Sequence, residues 1–185
     1  MNLEQMKQRL AIDGWCVIDG IIPADQVGAV RQSILATVEE HRIADPRQNL
    51  GKVSGVINHN QSFAPYLADE RLLGLCSALL GEHVRVSFTT CLVTYPASPR
   101  GEWHADWPFN QHNAGHIPAP YPDAVAHLTT IWMLTPFTLG NGTLIVSGSH
   151  RTCNNPSGDN GVDDSVPYPP EIQVTGAAGS VLVMD

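Results

Sequence analysis

The spacing of apolar residues changes once along this chain, near Gly81, and that change restricts the fold more than any other feature. Before it the period is helical. Leu3, Met6 and Leu10 predict a first helix over 2–10. Val27, Val30, Ile34 and Val38 predict a second, starting near Pro23, where a missing N–H costs nothing in the first turn. Leu67, Leu72, Leu75, Cys76 and Leu79 predict a third, from Pro65 to Gly81. Trp15–Ile18 reads as a short strand between glycines, and residues 44–62 as a polar loop.

After Gly81 the period is that of strands. Val84, Val86, Phe88, Thr90, Leu92 and Thr94 alternate onto one face of a strand over 84–95. Further strands are expected at 125–134, 143–146, 172–174 and 181–184, with turns at Asn141-Gly142, Gly148-Ser149-His150 and 176–179. Helices first and short strands after predict an α+β, mainly β chain: a β-sandwich or jelly roll with its N-terminal helices packed outside. A length of 185 residues suits one domain with a real core. The loop over 96–124 is long for such a domain, and long loops are often functional.

Composition removes several functions. The net charge is −8 and the ten Lys and Arg residues are scattered, which argues against a nucleic-acid or anionic-membrane surface. No apolar run approaches the roughly 20 residues that cross a bilayer. Four cysteines without a C-x-x-C pair, and no leader at the N-terminus, predict reduced thiols in a cytoplasmic protein. The last strand, Gly179–Asp185, is apolar and ends with the chain, which suggests a domain cut at its C-terminus.

The chemistry-bearing element is His104-Ala105-Asp106. In extended backbone, residues i and i+2 point the same way, so an imidazole and a carboxylate can grip one ion. Two histidines and one carboxylate on one face leave other coordination positions open, the arrangement of non-heme Fe(II) oxygenases. With eight His and eleven Asp, about 0.5 H-x-D matches arise by chance, so the pattern needs its context. That context is a preceding strand, a long loop, and Trp103 and Trp107 on either side.

The stretch Trp103-His104-Ala105-Asp106-Trp107-Pro108 resembles the iron-binding segment of the phytanoyl-CoA dioxygenase family. The resemblance continues through Ile131–Thr138 and Gly140–Arg151, which carries an Asn-Gly turn, a strand and a Gly-Ser-His turn. It extends to Gly179–Asp185, similar to the strand that leads to the family's distal histidine, and to Asp13-Gly14-Trp15 with the Pro23 helix. It implies a double-stranded β-helix, cupin-like, spanning 1–185 as a single domain. It implies Fe(II), 2-oxoglutarate and O2, with ascorbate able to serve as reductant, and hydroxylation of a small molecule or acyl thioester. His104 and Asp106 become metal ligands, and Trp132 a residue beside 2-oxoglutarate. Asp106 also argues against halogenating relatives, which carry a small residue there.

The chain departs from the family in places. The second histidine and the arginine that pairs with 2-oxoglutarate would lie beyond Asp185, so the chain reads as lacking its C-terminal strands. Ser147 stands where the family usually has proline. Among the remaining polar residues, His150 is expected to bond nearby backbone rather than metal. His112 and His116 either line a substrate mouth or are solvated, and Asn110 and Gln111 are candidate substrate contacts. His127 reads as a core or interface residue, and Arg85 and Arg100 as salt-bridge partners. Two alternatives stay open: a non-catalytic, small-molecule-binding β-helix protein, and a cupin-type hydrolase or isomerase on Zn or Mn.

Overall fold

The computed structural model describes residues 1–45, 49–107, 119–154, 163 and 166–185, with backbone only at 43–45. Its helices are α1 (Leu3–Asp13), α2 (Val27–His41) and α3 (Glu70–Leu80). Its strands are β1 (Trp15–Ile18), β2 (Ile43–Asp45), β3 (Leu50–Ser54), β4 (Thr90–Thr94), β5 (Thr129–Trp132), β6 (Leu144–Val146), β7 (Glu171–Gln173) and β8 (Val181–Met184). They form an α+β fold of three small sheets ordered β1-β8-β5, β2-β3-β4 and β6-β7.

α1 and α3 start where the sequence supplies a side-chain cap, and α2 starts without one. Asn2 and Gln5 bond reciprocally, side chain to backbone, at 2.9 Å each, and fix the first turn of α1. The second helix becomes regular at Val27 rather than near Pro23, because the Pro23 carbonyl takes both the Gln26 and Val27 N–H groups in a turn. The helix expected from Pro65 to Gly81 is two pieces, a 3-10 turn over Ala64–Ala68 and then α3. Between them Asp69 leaves helical geometry and accepts the N–H groups of Arg71 and Leu72 as the N-cap.

The sheet β1-β8-β5 lies at the centre. On one face Cys16, Ile18, Val181 and Val183 pack with Met6 and Leu10 of α1 and Leu72 and Leu75 of α3. On the other, Leu182 packs with Met133 and Val174, flanked by Trp15, Val17, Ile131 and Ile145. The two-stranded β6-β7 sheet therefore lies on the face that the helices leave open, with Ile145 against that cluster.

Two strands lie inside the stretch expected to be a polar loop. In β3 the inward positions are Gly51 and Val53, and a glycine contributes nothing to an apolar pattern. The site is tight: a Cβ on Gly51 would stand 3.0 Å from the Tyr95 hydroxyl and 3.1 Å from Val38, so those side chains would have to give by a few tenths of an ångström. The strand expected over 84–95 is regular only at β4. Its expected apolar face points outward, with Val86, Phe88 and Leu92 all more than half exposed, while Cys91 and Val93 pack against the α2 cluster. Pairing Cys91 with Val53 and Val93 with Gly51 fixes that choice, because a strand's faces alternate.

Candidate metal centre

The segment 100–107 is irregular and is held by its own large side chains. Arg100 grips Glu171 of β7 through two parallel bonds of 3.1 and 2.7 Å, and its guanidinium lies 4.9 Å from the centre of the Trp103 ring. The Trp103 indole donates to the Val166 carbonyl at 3.2 Å. Trp107 meets the Tyr121 ring edge-on at 5.7 Å. The two tryptophans are thus the walls that fix the segment between them, and Arg100 is a committed ion-pair partner, as expected.

Between these anchors His104 and Asp106 turn toward each other, with Nε2 3.4 Å from Oδ1. Their other polar atoms are already engaged. The Nδ1 of His104 is 2.9 Å from the Glu102 carbonyl, which fixes the proton there when the ring is neutral. The Oδ2 of Asp106 accepts the Thr129 hydroxyl at 2.6 Å. The Asp106 carboxylate, ahead of the opposing effect of burial, raises the pKa of His104 to about 9. The imidazole and then the Thr129 hydroxyl hold Asp106 below the usual carboxylate range. A metal held by this pair would take the place of the proton on Nε2.

This pair fits a metal. Donors at about 2.0–2.1 Å from one ion, at angles between a right angle and the tetrahedral value, lie roughly 2.8–3.4 Å apart, and the observed 3.4 Å is at the wide end of that range. Among the described residues no third His, Cys, Asp or Glu joins them in a group that could hold a metal. His127 is near enough to Asp106 to lower its pKa, while burial holds His127 itself below its ordinary value. Burial raises Asp185, against the pull of His150 and His127.

The other expected site residues divide. Trp132 is not brought to the metal pair. It packs against both helix-covered clusters and donates to Thr130 at 3.2 Å. Thr129, three residues earlier on the same strand, presents the opposite face. The sequence pattern recorded Trp132 as an aromatic in a strand, and only pairing with β8 decided its face. His150 lies against Gly14, and its buried Nδ1 has no hydrogen-bond partner among the described residues, so the expected backbone bond is not made there. Asn110, Gln111, His112 and His116 lie outside the described residues. Sequence reasoning missed Thr129 and Glu171. The signal for the first was a pair of hydroxyl residues, Thr129-Thr130, inside an otherwise apolar strand.

The model of the family described as "Phytanoyl-CoA dioxygenase (PhyH)" matches residues 11–185. The chain belongs to the phytanoyl-CoA dioxygenase family. No curated protein sequence matches it. Several solved structures share its fold at low identity. The epimerase SnoN, in complex with Fe3+, alpha ketoglutarate and nogalamycin RO, is 18% identical with a TM-score of 0.67, over 98% of this chain and 73% of that one. HygX from Streptomyces hygroscopicus, with nickel, 2-oxoglutarate and hygromycin B bound, is 16% identical with a TM-score of 0.67, over 100% and 79%. EctD from S. alaskensis in its apoform is 20% identical with a TM-score of 0.71, over 100% and 68%. No helix among the described residues is long and apolar enough to cross a membrane.

Proposed function

We propose that this chain is an Fe(II)- and 2-oxoglutarate-dependent dioxygenase that hydroxylates a small organic molecule on a single double-stranded β-helix domain. The observation that carries the reading is the convergence of His104 Nε2 and Asp106 Oδ1 at 3.4 Å, each with its other polar atom tied to protein. Family membership supports it, and so do the metals and 2-oxoglutarate bound by SnoN and HygX. Those two proteins take nogalamycin RO and hygromycin B, which favours a small-molecule substrate over a macromolecule.

His104 and Asp106 hold the iron. With 2-oxoglutarate and O2, the iron supplies the oxidising power to hydroxylate a C–H bond. The Glu102 carbonyl orients the imidazole, and the Arg100–Glu171 pair with Trp103 fixes the segment that carries both ligands. Trp132 is left out of the co-substrate site, because it faces the helices.

The test has two readouts. Anaerobic Fe(II) titration gives the affinity of the chain and of His104→Ala and Asp106→Ala, each expected to bind at least about tenfold more weakly. Succinate formation from 2-oxoglutarate is then measured with Fe(II), ascorbate and O2. Wild-type affinity in both variants would overturn the metal site. A second reading, a protein that binds metal and small molecule without turnover, rests on the missing third ligand among the described residues. Metal binding without succinate would favour it.

A further inference from the structure

We infer that Thr129 is a positioning residue for this metal centre, holding Asp106 as a one-oxygen ligand so that a coordination position stays open. The inference rests on the proposed role of His104 and Asp106 as metal ligands.

The two ligands are oriented by different means. His104 is set locally, by the carbonyl of Glu102 two residues earlier. Asp106 is set across the fold, by a hydroxyl 23 residues away in sequence. Its own segment is irregular, whereas Thr129 stands opposite Met184 in the β5–β8 ladder. The reference point for the carboxylate is therefore the central sheet. Thr129 is β-branched, so its χ1 is stiff and its hydroxyl direction is well defined.

The proton assignment follows from the acceptor. An ionised carboxylate only accepts, so the threonine must donate, and 2.6 Å is the length of a charge-assisted O–H···O bond. That bond occupies Oδ2 and leaves Oδ1 facing His104. A carboxylate with both oxygens free can clamp an ion with both. Doing so here would fill a position that co-substrate or O2 needs. The hydroxyl thus does two things: it aims Oδ1, and it keeps Oδ2 away from the metal.

The experiment uses Co(II), whose visible absorption reports both affinity and coordination number, on the whole chain. Thr129→Val is expected to bind about tenfold more weakly, with an altered band intensity, while Thr129→Ser stays within about twofold of wild type and keeps its spectrum. Asp106→Ala, run alongside, is expected to lose binding. A Thr129→Val chain with wild-type affinity and spectrum, beside a dead Asp106→Ala, would overturn this inference and leave the metal site standing. Wild-type binding by Asp106→Ala would overturn both. Should the valine variant not fold, Thr129→Ala is read in its place, and a serine variant as weak as alanine also overturns the inference.

Discussion

Arg100 and Glu171 face each other fork to carboxylate, 3.1 and 2.7 Å apart, and so tie the segment carrying His104 and Asp106 to strand β7. The same carboxylate accepts the Tyr168 N–H at 2.8 Å, so it is anchored before it meets the arginine. Arg100→Lys keeps the charge but loses the fork and the guanidinium over the Trp103 ring. Faster amide exchange over 101–107 and a roughly threefold to tenfold weaker metal affinity are the expected results. Unchanged exchange in Arg100→Lys would show that the tryptophans alone hold the segment.

Gly14 ends α1 at φ 81°, and a Cβ there would collide with the ring of His150. Gly14→Ala therefore combines a left-handed backbone with an overlap and should cost about 2–4 kcal/mol, read from urea unfolding. Adding His150→Ala removes the overlap but not the backbone strain, so the double variant should recover part of the loss. Full recovery would show that the backbone strain costs nothing.

Ser147 occupies a position where the family pattern expects proline. Its hydroxyl accepts the Trp15 indole N–H at 3.3 Å and donates to Asp13 at 3.1 Å, joining the end of α1 to the strand after it and to the Gly-Ser-His turn. Ser147→Ala should cost about 0.5–1 kcal/mol and change the emission of Trp15. An unaltered thermal midpoint would mean that water replaces both bonds.

Asp69 caps α3 and pairs with Arg71 at 3.0 Å, and that hydrogen bond is the first cause of its lowered pKa. A depressed folded-state value makes the carboxylate stabilising above its ordinary pKa of 3.8, with the contribution lost as pH falls through the folded value. Asp69→Asn keeps a capping oxygen without the charge, so its acid unfolding curve should be shallower than wild type in that window. Asp69→Ala should lose about 1 kcal/mol at neutral pH. Parallel acid curves for Asp69→Asn and wild type would remove Asp69 from the acid response.

The sequence by itself determined the helical stretches, the late strands and the His104–Asp106 pair proposed as metal ligands. Met6 and Leu10, or Val30, Ile34 and Val38, recur at the helical period whatever they later touch, and H-x-D places two donors on one side of any extended segment. Short-range order of this kind is written in neighbouring residues. The family pattern around His104 was legible for the same reason, since its elements follow one another along the chain.

The tertiary structure decided which face of each strand is inside and what stands behind each ligand. Leu92 and Phe88 look like core residues and are exposed, because Cys91 and Val93 are in register with Val53 and Gly51. Trp132 was expected beside 2-oxoglutarate, and it packs against the helix-covered clusters, because β5 is in register with β8. Thr129 reaches Asp106 across 23 residues and Glu171 reaches Arg100 across 71, distances over which a single sequence carries no pairing signal. A one-residue change of register reverses every side chain of a strand, so these contacts exist only once the sheets have closed.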